Sequence, residues 1–185
     1  MTDLVLADVS EFQAGINWVT YATGCPAAIA RVCYGTSHPD KQFAANLACM
    51  RAHLQVRGWY QYIVTGQDIA AQARAFAALV GPLRPGEFAI ADIEEGNFSQ
   101  ADFTTWASIV HGAVGGLEGE YSGLAFARTH LADFAGTALA WVAAYGQSEP
   151  SDAHQLWQFT DKRTFPGIAS PCDASIFHGA VGQLL

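Results

Sequence analysis

From Leu4 to Phe134, short apolar runs alternate with segments whose apolar residues recur at helical spacing, the rhythm of an α/β fold. Leu4 to Val9 and Ala28 to Tyr34 read as strands, the second ending at Gly35. Asp40 is placed to cap a helix whose apolar face is Phe43, Leu47, Met50 and Leu54. Gly58-Trp-Tyr-Gln-Tyr-Ile63 is a third strand, rich in residues that favour a pleated surface. Asp68 opens a second helix with Ile69, Ala73, Phe76 and Val80 on one side, stopped by Gly81-Pro82. A strand from Phe88 to Glu94 follows, and Ser99 and Asp102 resemble a capping pair before Phe103, Trp106, Ile109 and Val110. Gly119 to Gly123 is a weaker fifth strand, with a short helix through Phe126 to Phe134 behind it.

After Gly136 the rhythm changes. Leu139 to Tyr145, Gln155 to Thr160 and Ser175 to Phe177 are strand-like, with loops rather than full helices between them. The chain therefore reads as repeated β-α units followed by strands alone. With no internal repeat, low-complexity tract or linker, residues 1–185 are expected to form one domain.

Chemistry enters with Phe88-Ala-Ile-Ala-Asp-Ile-Glu-Glu-Gly96, an apolar run that ends in acid. A strand's period of two puts Asp92 and Glu94 on one face and turns Glu95 to the other. Two carboxylates on one face are the minimum equipment for protonating a glycosidic oxygen and stabilising the cation that follows. Asp8 closes Leu4-Val-Leu-Ala-Asp8, and Asp173 follows Ile168-Ala-Ser-Pro-Cys172. Each alone would pass for a capping or turn aspartate; three apolar segments ending in acid predict an acidic pocket where strand ends converge.

Composition narrows the field. Half the residues are hydrophobic (51%) and 14% are charged, which excludes a disordered chain. A net charge of −8 without any Lys/Arg cluster argues against nucleic-acid binding. No apolar stretch is long enough to span a bilayer, and Asp3 near the start speaks against a signal peptide, so no membrane partner and no Sec-type export are expected. The cysteines show neither metal spacing nor a CxxC; Cys33 and Cys49 read as small buried hydrophobes, and Cys172 could line the acidic pocket without reacting. The six histidines show no HExxH spacing, and there is no GxSxG, so a metal-dependent or acyl-transfer hydrolase is not favoured and no metal or cofactor is expected.

Several motifs in register resemble glycoside hydrolase family 25 lysozymes, the Chalaropsis-type muramidases. Asp8-Val-Ser-Glu-Phe-Gln13 with Ile16-Asn-Trp18 is similar to the family's N-terminal signature. Gly58-Trp-Tyr-Gln-Tyr62, Asp92-Ile-Glu94, Tyr121-Ser122, Trp141-Val-Ala-Ala-Tyr145, Trp157-Gln-Phe-Thr160 and Asp173 resemble its later motifs in order, over Val5 to Gly179. The resemblance implies an irregular TIM-like barrel of about five β-α units followed by three strands. It also implies metal-free hydrolysis of the β-1,4 bond between N-acetylmuramic acid and N-acetylglucosamine in bacterial peptidoglycan. Carried across, Glu94 is the general acid, and Asp92 orients the 2-acetamido group or stabilises the positive centre. Asp8 and Asp173 complete the acidic floor. Tyr60, Tyr62, Trp141, Tyr145 and Trp157 would line the sugar groove, with Tyr62 and Trp141 foremost, although core packing is the alternative for each; Phe12 and Trp18 read as structural.

The chain departs from the family pattern at Gln61, where a histidine is frequent, at Ala14, where glycine is usual, and at Cys172-Asp-Ala-Ser175. The expected setting is a phage endolysin, synthesised in the host cytoplasm and acting as a monomer on the cell-wall glycan strand. A peptidoglycan-binding module that has lost catalysis is the competing reading, and the retained Asp92 and Glu94 argue against it.

Overall fold

Strands buried on both faces need a partner on each edge, and here the sheet supplies one by closing on itself. In the computed structural model, which describes residues 3–178, eight strands form the barrel; Gly179, at the limit of the family resemblance, lies outside those residues. The order runs from β1 (Leu4–Val9) to β2 (Ala27–Tyr34), β4 (Val56–Tyr62), β5 (Glu87–Asp92) and β6 (Leu117–Gly123). It continues through β7 (Ala140–Ala143), β8 (Leu156–Arg163) and β9 (Cys172–Phe177), which returns to β1. The neighbours from β1 round to β8 run parallel, whereas β9 is antiparallel to both β8 and β1. A two-residue strand, β3 (His38–Pro39), adds to β2 outside this circle.

Helices α1 (Trp18–Ala22), α2 (Phe43–His53), α3 (Ile69–Val80), α4 (Gln100–Val114) and α5 (Leu124–His130) follow β1, β2, β4, β5 and β6, and a single 3₁₀ turn (Phe134–Gly136) precedes β7. Five β-α units followed by three strands is the expected plan. α3 starts where the Asp68 carboxylate accepts from the Ala71 N–H at 2.7 Å, and it ends at Gly81, whose φ of +66° suits glycine. α4 begins with Ser99 N–H and Oγ both directed to Asp102, at 2.8 and 2.7 Å.

Gln42, not Asp40, is the N-cap of α2, and Asp40 has a different role. Its buried carboxylate accepts from Gln42 N–H (2.9 Å) and Glu11 N–H (2.8 Å) and pairs with Arg31 at 2.9 Å, joining the β1 and β2 loops. Within α2, Phe43 and Met50 are buried but Leu47 only partly, and Leu54 lies just past the end in extended conformation.

Strand alternation sorts the side chains. Ile29, Gly58 and Phe88 meet inside the barrel, where a Cβ on Gly58 would lie 2.6 Å from Phe88 and 2.7 Å from Ile29. Gln61 is turned outward instead. It is fully buried, donates to Gly35 O and Gln72 O at 3.0 and 2.9 Å, and accepts from Trp106 Nε1 at 2.7 Å. It cross-links the third barrel strand to α3 and α4, a structural task. At the opposite end from the strands' C-termini, Glu87 takes both Arg51 nitrogens at 2.8 Å and Arg57 at 3.3 Å.

All four cysteines are free thiols. Burial pushes Cys33 and Cys172 up to about 12, which makes both poor nucleophiles. Cys172 does not line the acidic pocket, because alternation along β9 turns it away from the side that Asp173 faces.

Candidate active site

The C-terminal ends of the parallel strands open on a cavity of about 240 Å³. Asp8 from β1, Asp92 from the end of β5, Glu94 two residues beyond it, and Asp173 all line it. Asp173 arrives by a different route from the one its sequence neighbourhood suggests. The segment Ile168–Pro171 is not a strand, and Asp173 stands near the start of β9. Because β9 runs antiparallel, its beginning lies at the same mouth as its neighbours' ends, directly across from Asp8 in the ladder.

Asp92 and Glu94 share the pocket although the strand itself stops at Asp92. One further ladder bond, Ile93 N–H to Tyr121 O at 2.9 Å, carries the extended geometry on, so the period of two still holds. Asp92 is buried and Glu94 is exposed at the rim.

Beneath the carboxylates lies a polar and aromatic floor. Gln158 donates through Nε2 to Asp8 Oδ1 at 2.9 Å, while its Oε1 accepts from the hydroxyls of Tyr121 (2.8 Å) and Tyr145 (2.6 Å). Trp141 donates to Ser175 Oγ at 2.9 Å and packs edge-on to Tyr60. The second oxygen of Asp8 and Oδ1 of Asp92 are buried without a hydrogen-bond partner. Buried acceptors left open in this way are costly and mark a place where a ligand's donors would be welcome.

Electrostatics follow from the crowding. Burial chiefly, then Glu94 and Asp8, raise the Asp92 pKa well above the ordinary aspartate value, with Arg31 offsetting part of the effect. Asp8 is raised by burial and by Asp173, and the Gln158 hydrogen bond pulls the other way; Asp173 is raised as well, by its own burial and then by Asp161. Glu94 is raised by its remaining burial, then by Glu95 and Asp173.

Of the aromatics expected here, Tyr60, Tyr62 and Trp141 line the cavity. Tyr145 touches the site only through its hydroxyl. Trp157 does not reach it: alternation along β8 turns the indole outward, where Nε1 donates to Ala144 O at 3.0 Å and the ring packs on Phe159. Trp18 is structural, buried and bonded to Asn46 Oδ1 at 3.2 Å. Phe12 is not. It is 76% exposed, lies over the Arg31 guanidinium at 5.5 Å and lines the pocket wall.

Sequence reasoning also passed over Arg31, Ser10, Tyr121 and Gln158, all of which line the cavity. Arg31 was legible as a lone cation inside an apolar strand; Ser10, Tyr121 and Gln158 stand inside the family-like motifs, but nothing local gave them a place in the site. Beside the main cavity, a second depression of about 470 Å³ shares Phe12, Arg31 and Tyr62 with it and adds Tyr34, stacked on Tyr62 at 4.6 Å and 8°. Together they make a groove with an acidic centre and an aromatic flank.

The model of the family described as glycosyl hydrolases family 25 matches residues 7–168. No curated protein matches the chain by sequence. Among solved structures, the bacterial lysozyme from Streptomyces coelicolor aligns with TM-score 0.86 and 22% identity, over 100% of this chain and 96% of that one. The catalytic domain of endolysin ply40 from bacteriophage P40 of Listeria monocytogenes also gives 0.86, at 24% identity over 99% and 97%. A family 25 glycosyl hydrolase from Bacillus anthracis gives 0.83, at 18% identity over 96% and 89%. At these identities the likeness is one of fold.

Proposed function

Since the chain belongs to glycosyl hydrolases family 25, we propose that it is a lysozyme, an N-acetylmuramidase that cuts the β-1,4 bond from N-acetylmuramic acid to N-acetylglucosamine in peptidoglycan. The observation that carries this reading is the convergence of Asp8, Asp92, Glu94 and Asp173 on one cavity flanked by Tyr60, Tyr62 and Trp141. Flat rings match the apolar faces of pyranoses, and crowded carboxylates keep a proton available near neutrality.

Glu94, at the open rim with a raised pKa, is the general acid that protonates the glycosidic oxygen as its bond to the anomeric carbon breaks. Asp92 offers its unpartnered Oδ1 to the 2-acetamido N–H. That contact turns the acetamide oxygen toward the anomeric carbon, where it forms a bond as the leaving group departs. Water then opens the ring so formed, giving its proton to Glu94. Asp8 and Asp173 hold the floor negative beneath the developing cation. No metal takes part in this scheme.

The setting that fits is an endolysin made in a host cytoplasm and acting on the wall, with this barrel as its self-contained, monomeric catalytic domain. No helix among the described residues is long and apolar enough to cross a membrane.

The test compares wild type with Glu94→Gln on insoluble peptidoglycan, following new reducing ends and identifying the terminal sugar by mass spectrometry. N-acetylmuramic acid at the new ends, lost with the substitution by about 10²- to 10⁴-fold, supports the assignment. Binding without any new reducing ends from wild type would instead mean a non-catalytic module.

A further inference from the structure

Far from the acidic mouth, Glu149, His154 and His178 bring one carboxylate oxygen and two imidazole nitrogens within 4.8 Å of one another. Their spacing in the chain matches no short metal motif; the fold alone brings them together. Glu149 and His154 come from the stretch between β7 and β8, and His178 directly follows β9. Phe177, beside His178, pairs with Leu4, whereas Asp173 pairs with Asp8. His178 is therefore five residues along β9 and its end from Asp173, roughly 17 Å in extended geometry, at the opposite end of the barrel from the catalytic acids.

The geometry points to a binding site for one zinc-like divalent cation, held by Glu149, His154 and His178. His154 has only 5% of its side chain exposed, and its Nδ1 lies 2.6 Å from Asp152 O. A carbonyl can only accept, so Nδ1 carries a hydrogen, and Nε2 is the ring atom turned to the cluster. That Nε2 is buried and makes no hydrogen bond, and the same is true of His178 Nε2. Both nitrogens nevertheless stand close to Glu149 Oε1, at 3.4 and 3.2 Å.

Ligands about 2.0–2.1 Å from a tetrahedral ion are separated by about 3.3 Å, so these two edges already have the length a zinc site requires. His178 Nδ1 faces Asp3 Oδ1 at 3.4 Å, in the manner of a carboxylate that orients a metal-bound histidine. Two imidazoles and one carboxylate select Zn²⁺, Co²⁺ or Ni²⁺ over Mg²⁺ and Ca²⁺, whose ligands are oxygens. Three protein ligands leave the fourth position to water. The bound ion would staple the β7–β8 connection to the end of β9, adding stability rather than chemistry.

The experiment uses tag-free protein stripped with a chelator, titrated calorimetrically with Zn²⁺ and followed by thermal melting. Expected are one ion per chain, a higher Tm with Zn²⁺ than with Mg²⁺ or Ca²⁺, and the visible absorption of tetrahedral Co²⁺ on substitution. Glu149→Gln and His178→Ala should each weaken affinity about 10-fold or more while leaving peptidoglycan hydrolysis unchanged. Glu149 is exposed, so its variant keeps the fold intact. Asp92→Asn should bind Zn²⁺ as wild type does, which separates the cluster from the acidic mouth. Absence of saturable binding, wild-type affinity in both Glu149→Gln and His178→Ala, or loss of binding only in Asp92→Asn would each overturn the site.

Discussion

Asp8 and Asp173 are direct partners across the antiparallel ladder between β1 and β9, so two carboxylates face each other where a sheet would ordinarily pair compatible side chains. Only a shared proton or a donor makes the arrangement tolerable, and Gln158 supplies that donor at 2.9 Å. Gln158→Leu removes it and also leaves the Tyr121 and Tyr145 hydroxyls without their acceptor. The expected loss is about 1–3 kcal/mol in urea denaturation.

Asp92 should show stability exchanged for function. Its folded pKa is raised, chiefly by burial and then by Glu94 and Asp8, so the fold prefers the protonated form. That contribution is complete below the ordinary aspartate value and is lost as pH rises through the raised one. Asp92→Asn, a neutral mimic, should therefore melt higher than wild type at pH 7 while losing activity. The gain should shrink as the melts are repeated toward pH 4.

Glu94 should set the alkaline limb of activity, because a general acid is useful only while it holds its proton. Glu95 is the second cause of its raised pKa, after burial. Glu95→Gln should move that limb to lower pH, read from kcat/KM profiles on peptidoglycan fragments, and leave the rate at acidic pH largely intact.

Glu87 provides the opposite sign of pH dependence at the far end of the barrel. Burial alone would raise its pKa, but the Arg51 hydrogen bonds, the Arg84 N–H and the charges of Arg51 and Arg57 outweigh it, and the net shift is downward. Its contribution is present above the unfolded glutamate value and is lost as pH falls through the lowered one. Glu87→Ala strands Arg57, and should cost about 3–5 kcal/mol at pH 7 by chemical denaturation without altering substrate affinity.

Gly58 has a packing reason. A methyl there would meet Phe88 and Ile29 inside the barrel, so Gly58→Ala should destabilise by about 1–3 kcal/mol, again read by denaturation.

The β-α rhythm was legible because each unit carries its own local signals: Asp68 before α3, the Ser99–Asp102 pair before α4, and period-two runs in the strands. The Asp92–Glu94 pair was legible for the same reason. What escaped was long-range. Nothing near Asp173 shows that its strand runs backwards, and nothing near Gln158 shows that it meets an aspartate 150 residues away. Phe12 read as structural because its exposure depends on where the β1 loop folds over Arg31. Trp157 read as a groove residue because a motif does not reveal which face of β8 its indole takes. Fixing a face takes the register, and that comes from neighbouring strands.

The reversed strand should also make folding and activity sequential. β1 can find β2 early, but its other edge stays open until β9 arrives, and pairing over such a span is slow. Helical structure around the first five units should recover quickly on refolding. Catalysis should return later, with the same time course as closure of the β1–β9 seam. Asp92 and Glu94 are made long before Asp173, so the four-carboxylate cavity is complete only once the last barrel strand has docked.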